Sequence, residues 1–593
     1  MDSLTKKLST ICGHAFEAGG FSPELGLVRV SDRPDLAQFQ CNGALAAAKA
    51  AKKNPREVAQ GVVKALSLSL SPLRERERER GGQGEGNAVF SKIEIAGPGF
   101  INFNVTDDFL AAHLADVAAD AHLGVPQSGE NRTVVLDYGG PNIAKAMHVG
   151  HLRSSIIGDS LRRIMAFAGY RALGDVHMGD WGTPMGMIIA AIRRGDAGPD
   201  PEITMDMLEK IYPQASAACK EDPVRMEEAR AATVALQNKE SDAYGLWRRF
   251  IDVSVAGMKK NFDALNVHFD LWKGESDAHD LIAPMVGDLK KRGFAREDDG
   301  ALVVAVKRDD DDKEIPPLIL HKRDGAVMYG TTDLATIVGR LREFHPAKII
   351  YVVDQRQSLH FEQVFRAARL TGIAAPAVEL THAGFGTMNG PDGKPFKTRA
   401  GGVMKLEDLI AMGIEKAHAR LKEAELAKDF DEAERADIAH KVAIAAIKFA
   451  DLQNQRQSDY VFDLDRLTSF EGKTGPYILY QAVRVKSLLR KAGDPIIGSS
   501  GHLVIRNEDR PLALLLTEFP EVFDAALRNY MPHHLCDYVY RLAQGFSQFY
   551  ASCHILSEPD EKLRQSRLAL CALTLKEIEC VLDLLGIAIP GRM

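Results

Sequence analysis

The chain has 593 residues, 45% of them apolar and 26% charged, with a net charge of −7. That length exceeds what one hydrophobic core organises, so several domains are expected, and the composition is that of a soluble globular protein. No apolar run approaches the ~18 residues that span a bilayer, and the opening MDSLTKKLSTICGHAFEAGG lacks the apolar core of a signal peptide, so a cytosolic location is expected.

The seven cysteines are scattered and never form Cys-x-x-Cys, which argues against a disulfide framework and against a cysteine zinc site. The acidic balance gives no global sign of nucleic-acid binding. It does not exclude a local basic surface on a chain this large.

In chain order, residues 1 to about 125 read as a separate small domain. A helical opening precedes DLAQFQCNGALAAAKAAKKNPREVAQGVVKAL, where alanine, leucine and lysine recur at helical spacing. KIEIAGPGFINFNV (92–105) reads as strand. Between them LRERERERGGQGEG (73–86) alternates in charge and turns glycine-rich, a pattern that suits a solvated insertion better than a charged strand.

A second block opens at Arg132. VVLDY (134–138) reads as a buried strand, and GGPNIAKAMHVGH leads into a helix from about Leu152 to Ala168 with Gly169 as its cap. RALGDVHMGDWG then reads as a second strand running into a glycine-rich loop. Strand, loop, helix, strand is the opening unit of a doubly wound α/β fold.

Residues from about 190 to 285 are helical and charged, as an insertion would be. The strand pattern is expected to resume at ALVVAV (301–306), AVMYG (326–330) and KIIYVV (348–353). DDDDK (309–313) lacks the spacing of a calcium loop and reads as a solvated turn.

From Leu406 the chain reads helical almost to its end. In ILYQAVRVKSLLRKAG (478–493), Ile478, Ala482, Val485 and Leu489 form one stripe, with Arg484, Lys486, Arg490 and Lys491 away from it. An ordinary solvated face explains those cations as readily as a ligand does.

His148 and His151 are the first chemical signal. Helical metal-binding histidines are usually four apart, with further ligands in register. Here the spacing is three, Gly150 interrupts it, and no Cys or Glu accompanies it, so metal is the weaker reading. A loop between a strand and a helix start offers free N–H groups to an anion. Gly150 leaves room for close approach, and two imidazoles can donate to phosphate oxygens. That combination suits nucleotidyl transfer, in which positioning and charge stabilisation dominate.

Further on, FGTMNGPDGKPFKTRAGGVMKLEDLI (385–410) crowds Lys394, Lys397 and Arg399 beside Gly401-Gly402. A basic mobile loop and an ordinary surface turn both fit it.

DYGGPNIAKAMHVGHLRSSIIGD followed by GDWGT resembles the signature region of the class I aminoacyl-tRNA synthetases, and within them the arginyl-tRNA synthetases. His148-Val149-Gly150-His151 matches the family's HIGH motif. DLAQFQCN, NPREVA and GPGFINF resemble its N-terminal tRNA-contacting domain, and FEGKTGPYILYQAVRVKSLL its helical anticodon-binding domain.

The implied fold is α/β: a Rossmann-like catalytic domain (126–405) with a helical insertion, a small α+β N-terminal domain (1–125), a helical connection (406–472) and an all-α anticodon-binding domain (473–593). The resemblance implies ATP-dependent activation of L-arginine to an adenylate, with transfer to the terminal ribose of tRNA(Arg), for class I at the 2′-OH. Mg2+ is expected with ATP, no structural metal is expected, activation is expected to need bound tRNA, and a monomer is expected.

By the same resemblance, His148, His151, Lys145, Lys394 and Lys397 serve catalysis, and His148, Gly150, His151, Lys397 and Arg399 bind ATP. GKPFKTR departs from the family's KMSKS pattern, leaving open which of Lys394 and Lys397 leads. Lys145, ahead of the histidines, is placed to supply the missing charge. Arg484, Lys486 and Arg490 would face tRNA.

An arginine pocket needs acceptors for a planar cation with five donors. Asp137, Asn142, Tyr329, Asp333 and Gln357 match the family's pattern: Tyr329 and Asp333 on the guanidinium, Asn142 and Gln357 toward the amino and carboxylate end. Singly, Asp137, Asn142, Asp333 and Tyr329 also have structural explanations: a backbone contact, a loop contact, a helix cap and core packing, in that order. Pro184 replaces the family's usual glutamine, and Gly591 stands where an acidic residue is common. A small-metabolite nucleotidylyltransferase would not need the terminal domains, and a non-catalytic RNA-binding relative would not need the histidines and lysines.

Overall fold

Apolar residues at i, i+4, i+8 and i+12 dictate the first element. Helix α1 (Leu4–Ala18) is capped by Ser3 and buries Leu4, Leu8, Cys12 and Phe16 along one face. The computed structural model describes residues 2–33, 35–69, 89–323, 326–390, 392–394, 404–493 and 503–593. The charged stretch 73–86, Lys397, Arg399 and the Gly401-Gly402 pair lie outside them.

Strands β1 (Val28–Val30), β2 (Phe39–Cys41), β3 (Phe90–Ala96) and β4 (Phe100–Val105) form an antiparallel sheet in the order β1-β2-β4-β3. Helices α2 (Gly43–Ala51) and α3 (Pro55–Ser69) lie between β2 and β3. The helical spacing expected from residue 35 onward thus begins only at Gly43. Phe39 and Cys41 alternate inward and pair with Phe103 and Ile101, so strand pairing takes this stretch. Helix α4 (Asp107–Ala119) leads out of the domain.

The central sheet is parallel, with the order β11-β10-β5-β6, comprising β5 (Thr133–Asp137), β6 (Arg171–Asp175), β10 (Lys348–Tyr351) and β11 (Glu379–His382). Chain order reverses between β5 and β10, the position at which doubly wound sheets bind ligands beyond their strand ends. Helix α5 (Leu152–Phe167) follows β5 and ends before Gly169, whose φ of +88° suits only glycine comfortably.

The insertion comprises α6 (Thr183–Arg194), α7 (Met205–Glu221), α8 (Pro223–Gln237) and α9 (Ser241–Ala264), followed by α10 (Glu275–Lys291). Two of the three expected returning strands do not join the parallel sheet. Residues 301–304 form β8 in a separate antiparallel sheet with β7 (Ala295–Asp298) and β9 (Leu318–His321). AVMYG contributes only a bridge from Val327 to His321 before α11 (Tyr329–Phe344) begins. A short apolar run signals burial, not which sheet it joins. This small sheet packs with α10, α11 and α12 (Ser358–Leu370) around a second core that includes Leu289, Val304, Leu320, Leu334 and Val364.

After the two-residue strand β12 (Met388–Asn389), the described residues are mainly helical: α13 (Leu406–Glu423), α14 (Glu432–Leu452), α15 (Leu464–Leu467), α16 (Gly475–Ala492), α17 (Arg510–Leu516), α18 (Phe519–Asn529), α19 (His533–Ser552) and α20 (Glu561–Leu584). One short strand, β13 (Tyr460–Val461), pairs with β12. The C-terminal turn closes against the catalytic domain: Ser160 donates to the Leu584 carbonyl at 2.9 Å, and buried Lys448 to that of Gly586 at 2.9 Å. Among the described residues no helix is long and apolar enough to cross a membrane.

Candidate active site

The switch point is stitched by one serine. Ser154, in the first turn of α5, accepts the Gly139 N–H at 2.8 Å and donates to the Val352 carbonyl at 2.6 Å, joining the loops that leave β5 and β10. Arg153 beside it is 3% exposed, pairs with Asp451 of α14 at 3.0 Å and donates to the Gly386 carbonyl at 2.6 Å. The segment entering β12 is thereby fixed to the start of α5.

Between Pro141 and His148 the loop makes a tight reversal. Ala144 holds a left-handed φ of +59°, with its N–H bonded to buried Ser254 at 2.9 Å. Asn142 bridges to Gly179, where an added Cβ would meet its Oδ1 at 2.2 Å. Glycine in HMGDWG is therefore what admits the asparagine side chain.

His148 and His151 then close on each other, ring centroids 4.0 Å apart. Nδ1 of His148 accepts the Gly150 N–H, and Nδ1 of His151 accepts the His148 N–H, both at 3.1 Å. Burial, reinforced by Lys145, holds His148 below the ordinary imidazole range, and burial with the His148 charge pushes His151 down to about 3. Neutral rings whose Nδ1 atoms are acceptors carry their protons on Nε2, so the pair presents two N–H donors. A Cβ on Gly150 would lie 2.7 Å from the His148 ring, so the glycine accommodates the histidine cap as well as leaving the loop open.

Lys145 is exposed, and its Nζ sits 4.6 Å from the ring centroid of Tyr212 on α7. Lys394 is also exposed; its N–H bonds Asp392 at 3.1 Å and its carbonyl accepts the Gly390 N–H at 2.7 Å, a turn next to β12. The 404–406 segment beyond the basic loop returns directly to the histidines. Val149 N–H bonds the Met404 carbonyl and Leu406 N–H the Met147 carbonyl, each at 3.0 Å.

Asp333 and Glu275 feel each other's charge and together form an acidic wall. Asp333, on the second turn of α11, contacts His360 Nε2 at 2.5 Å, and Tyr329 one turn earlier is 73% exposed. Gln357 is exposed in the short turn after β10. Glu275 opens α10, and its carboxylate has no hydrogen bond or ion pair among the described residues. Burial chiefly, with the charges of Asp180 and Asp333, pushes it up to about 7 against the pull of His177.

Glu275 is positioned by the glycine-rich loop. Asp180 of GDWG accepts Ser276 N–H at 2.9 Å and Ser276 hydroxyl at 2.6 Å, pinning the start of α10 beside the strand ends. Glu275 is not among the residues that stand out in the sequence. The only available signal was GES at a helix start, which is indistinguishable from an ordinary acidic first turn.

Asp137, expected in the arginine pocket, is held in a buried ion pair. Arg340 of α11 reaches it at 2.6 Å and Asp175 at 2.7 Å, with all three groups buried. The expected tRNA-facing cations are also partly committed. Arg484 lies 4.3 Å over the Tyr550 ring, Lys486 pairs with Glu579 at 2.8 Å, and exposed Arg490 reaches the Gly591 carbonyl at 3.3 Å. The apolar stripe of Ile478, Ala482, Val485 and Leu489 is buried as its spacing requires.

Comparison with known proteins gives the family. Residues 113–464 match the model for the class I tRNA synthetase (R) catalytic domain, 2–105 the arginyl tRNA synthetase N-terminal domain, and 478–593 the DALR anticodon binding domain. The chain is 48% identical to an arginine–tRNA ligase of Maricaulis maris and 45% identical to one of Alkaliphilus oremlandii, each over the full length of both chains. Among solved structures, the arginyl-tRNA synthetase of Plasmodium falciparum aligns with a TM-score of 0.82 at 26% identity, with both chains fully covered. That of Thermus thermophilus aligns at 0.79 and 24%, likewise with full coverage of both chains, a likeness of fold. The chain belongs to the arginyl-tRNA synthetase family.

Proposed function

We propose that the crevice beyond β5 and β10 joins L-arginine to ATP and passes the arginyl group to the 3′-terminal ribose of tRNA(Arg). The arginine carboxylate attacks the α-phosphorus in line, the α–β bridging bond breaks, and pyrophosphate leaves. The ribose 2′-OH then attacks the carbonyl carbon of the adenylate and AMP departs.

The observation that carries this is a turn at the sheet's switch point that presents two neutral imidazole donors, in a chain that also sets the carboxylates of Glu275 and Asp333 near each other as an acidic wall. Nε2–H groups of His148 and His151 donate to phosphate oxygens as charge shifts in the transition state. Gly150 leaves the triphosphate room beside them. Lys145, Lys394, Lys397 and Arg399 supply positive charge at the pyrophosphate end. Mg2+ arriving with ATP would supply further neutralisation of the phosphates.

On the other side, Glu275 and Asp333 receive the guanidinium, and Tyr329 covers it. Asn142 and Gln357 hold the amino and carboxylate end. Asp137 acts one step back, as a partner of Arg340 in the pocket floor. The exposed edge of α16 around Arg490, with Arg484 and Lys486, meets the tRNA backbone. The protein works as a monomer in the cytosol, and activation needs bound tRNA.

Citrulline provides the test, because it replaces the cation with a neutral group of nearly the same shape. Arginine is expected to be charged onto tRNA(Arg), with citrulline neither charged nor competing at concentrations well above the arginine KM. Comparable use of citrulline would remove the acidic wall from the account.

A further inference from the structure

His148 faces a lysine that neither phosphate motif contains. The bonds from Val149 to Met404 and from Leu406 to Met147, each at 3.0 Å, make His148 and Lys405 a directly opposed antiparallel pair. Because those bonds flank the pair instead of joining it, it is of the closer, non-hydrogen-bonded kind, with Cα atoms about 4.5 Å apart. Directly opposed residues project from the same face of the ladder. Lys405 therefore emerges on the His148 side, on a stem long enough to reach wherever the imidazole reaches.

Its ammonium is held aside. Nζ lies 2.7 Å from Glu209 on α7 and 4.0 Å from Glu407, with the Lys405 and Glu209 side chains 41% and 23% exposed. Tyr212, three residues after Glu209 and on the same face of α7, carries Lys145 at 4.6 Å. One face of the insertion thus holds two cations, one from the loop ahead of His148 and one from the segment paired with it. A part-exposed ion pair shifts an equilibrium by about fivefold or less. A lysine so weakly held transfers readily to a polyphosphate.

We propose that Lys405 is a further phosphate-binding cation of the ATP site, and that Glu209 holds it away from the histidines until the triphosphate enters. On entry the Lys405–Glu209 pair opens and the ammonium moves to the phosphate oxygens beside His148. The insertion helix α7 thereby sets how much positive charge the empty site presents. This rests on the placement of the triphosphate at His148 and His151.

The test is steady-state charging of tRNA(Arg) by the full chain, with ATP varied at saturating arginine and arginine varied at saturating ATP, for Lys405→Met, Lys405→Arg, Glu209→Gln and Glu209→Gln/Lys405→Met. Lys405→Met is expected to lower kcat/KM for ATP at least tenfold with the arginine KM unchanged, and Lys405→Arg to restore most of it. Glu209→Gln is expected to lower the ATP KM a few-fold, and to have no effect when Lys405 is already methionine.

Lys405→Met within twofold of wild type would overturn the proposal. So would Glu209→Gln and Lys405→Met giving equal losses that the double variant does not deepen, since the pair would then be a structural tie. His148→Ala, run in parallel, separates the two levels: if it too leaves the ATP parameters intact, the phosphate site itself is misplaced.

Discussion

Nδ1 of His151 accepts the backbone N–H of His148 at 3.1 Å, which leaves the His151 proton on Nε2 and ties both rings to one short turn. His148→Ala should therefore lower adenylate formation about 100- to 1,000-fold, the usual cost of one lost transition-state donor. His148→Gln, whose amide nitrogen approximates the Nε2 position, should lose less than His148→Asn. Gly150→Ala should resemble His148→Ala, because its Cβ displaces the ring it lies 2.7 Å from. Single-turnover adenylate assays with tRNA binding measured alongside would check this. Equal loss of tRNA affinity in all of them would mark the turn as structural.

A second expectation concerns pH. Glu275 rises from an ordinary 4.5 to about 7, chiefly by burial. Its raised value means the folded, arginine-free protein binds the extra proton, so stability is lost as pH climbs from about 4.5 toward 7. With Glu275 as the proposed partner of the guanidinium, arginine should reverse the penalty by pairing with the charged form. The thermal shift produced by arginine should grow between pH 6 and 8, and kcat/KM for arginine should fall as pH drops below about 7. Glu275→Gln should remove that pH limb, raise the arginine KM at least tenfold, and leave the ATP KM within about twofold. An unchanged limb in this variant would assign it to another group.

Buried Arg340 ties the ends of β5 and β6 through Asp137 and Asp175. Arg340→Met strands two carboxylates in the core and should cost about 3–5 kcal/mol. Asp137→Asn, which keeps the shape and leaves Asp175 as the paired charge, should cost less. Urea unfolding of the catalytic core checks both; an Arg340→Met protein as stable as wild type would show that the cluster is solvated.

On α16, exposure sorts the cations. Arg490→Glu should weaken tRNA binding and reduce the slope of log affinity against log salt by about one. Lys486→Ala breaks its pair with Glu579 and should lower affinity less. Binding titrations at several salt concentrations would show it, and identical slopes for wild type and Arg490→Glu would place the tRNA elsewhere.

Local features were legible in the sequence and long-range partners were not. Strand, loop and helix around His148 follow from near-neighbour spacing, and the buried stripe of α16 follows from helical periodicity. Asp137 was legible as a strand end, but its partner Arg340 lies 203 residues on, and no pattern in VVLDY announces it. Glu275 is held at the start of α10 by Asp180, 96 residues earlier, which bonds Ser276. ALVVAV has a strand's composition, yet its edge is claimed by β7 and β9, a choice made by the helices that cover them.

The most direct measurement of the central claim is ATP–pyrophosphate exchange with each amino acid in turn, with and without tRNA(Arg). Exchange with arginine alone, and only when tRNA is present, is the expected result. Exchange driven by another amino acid, or none with arginine and tRNA together, would contradict it.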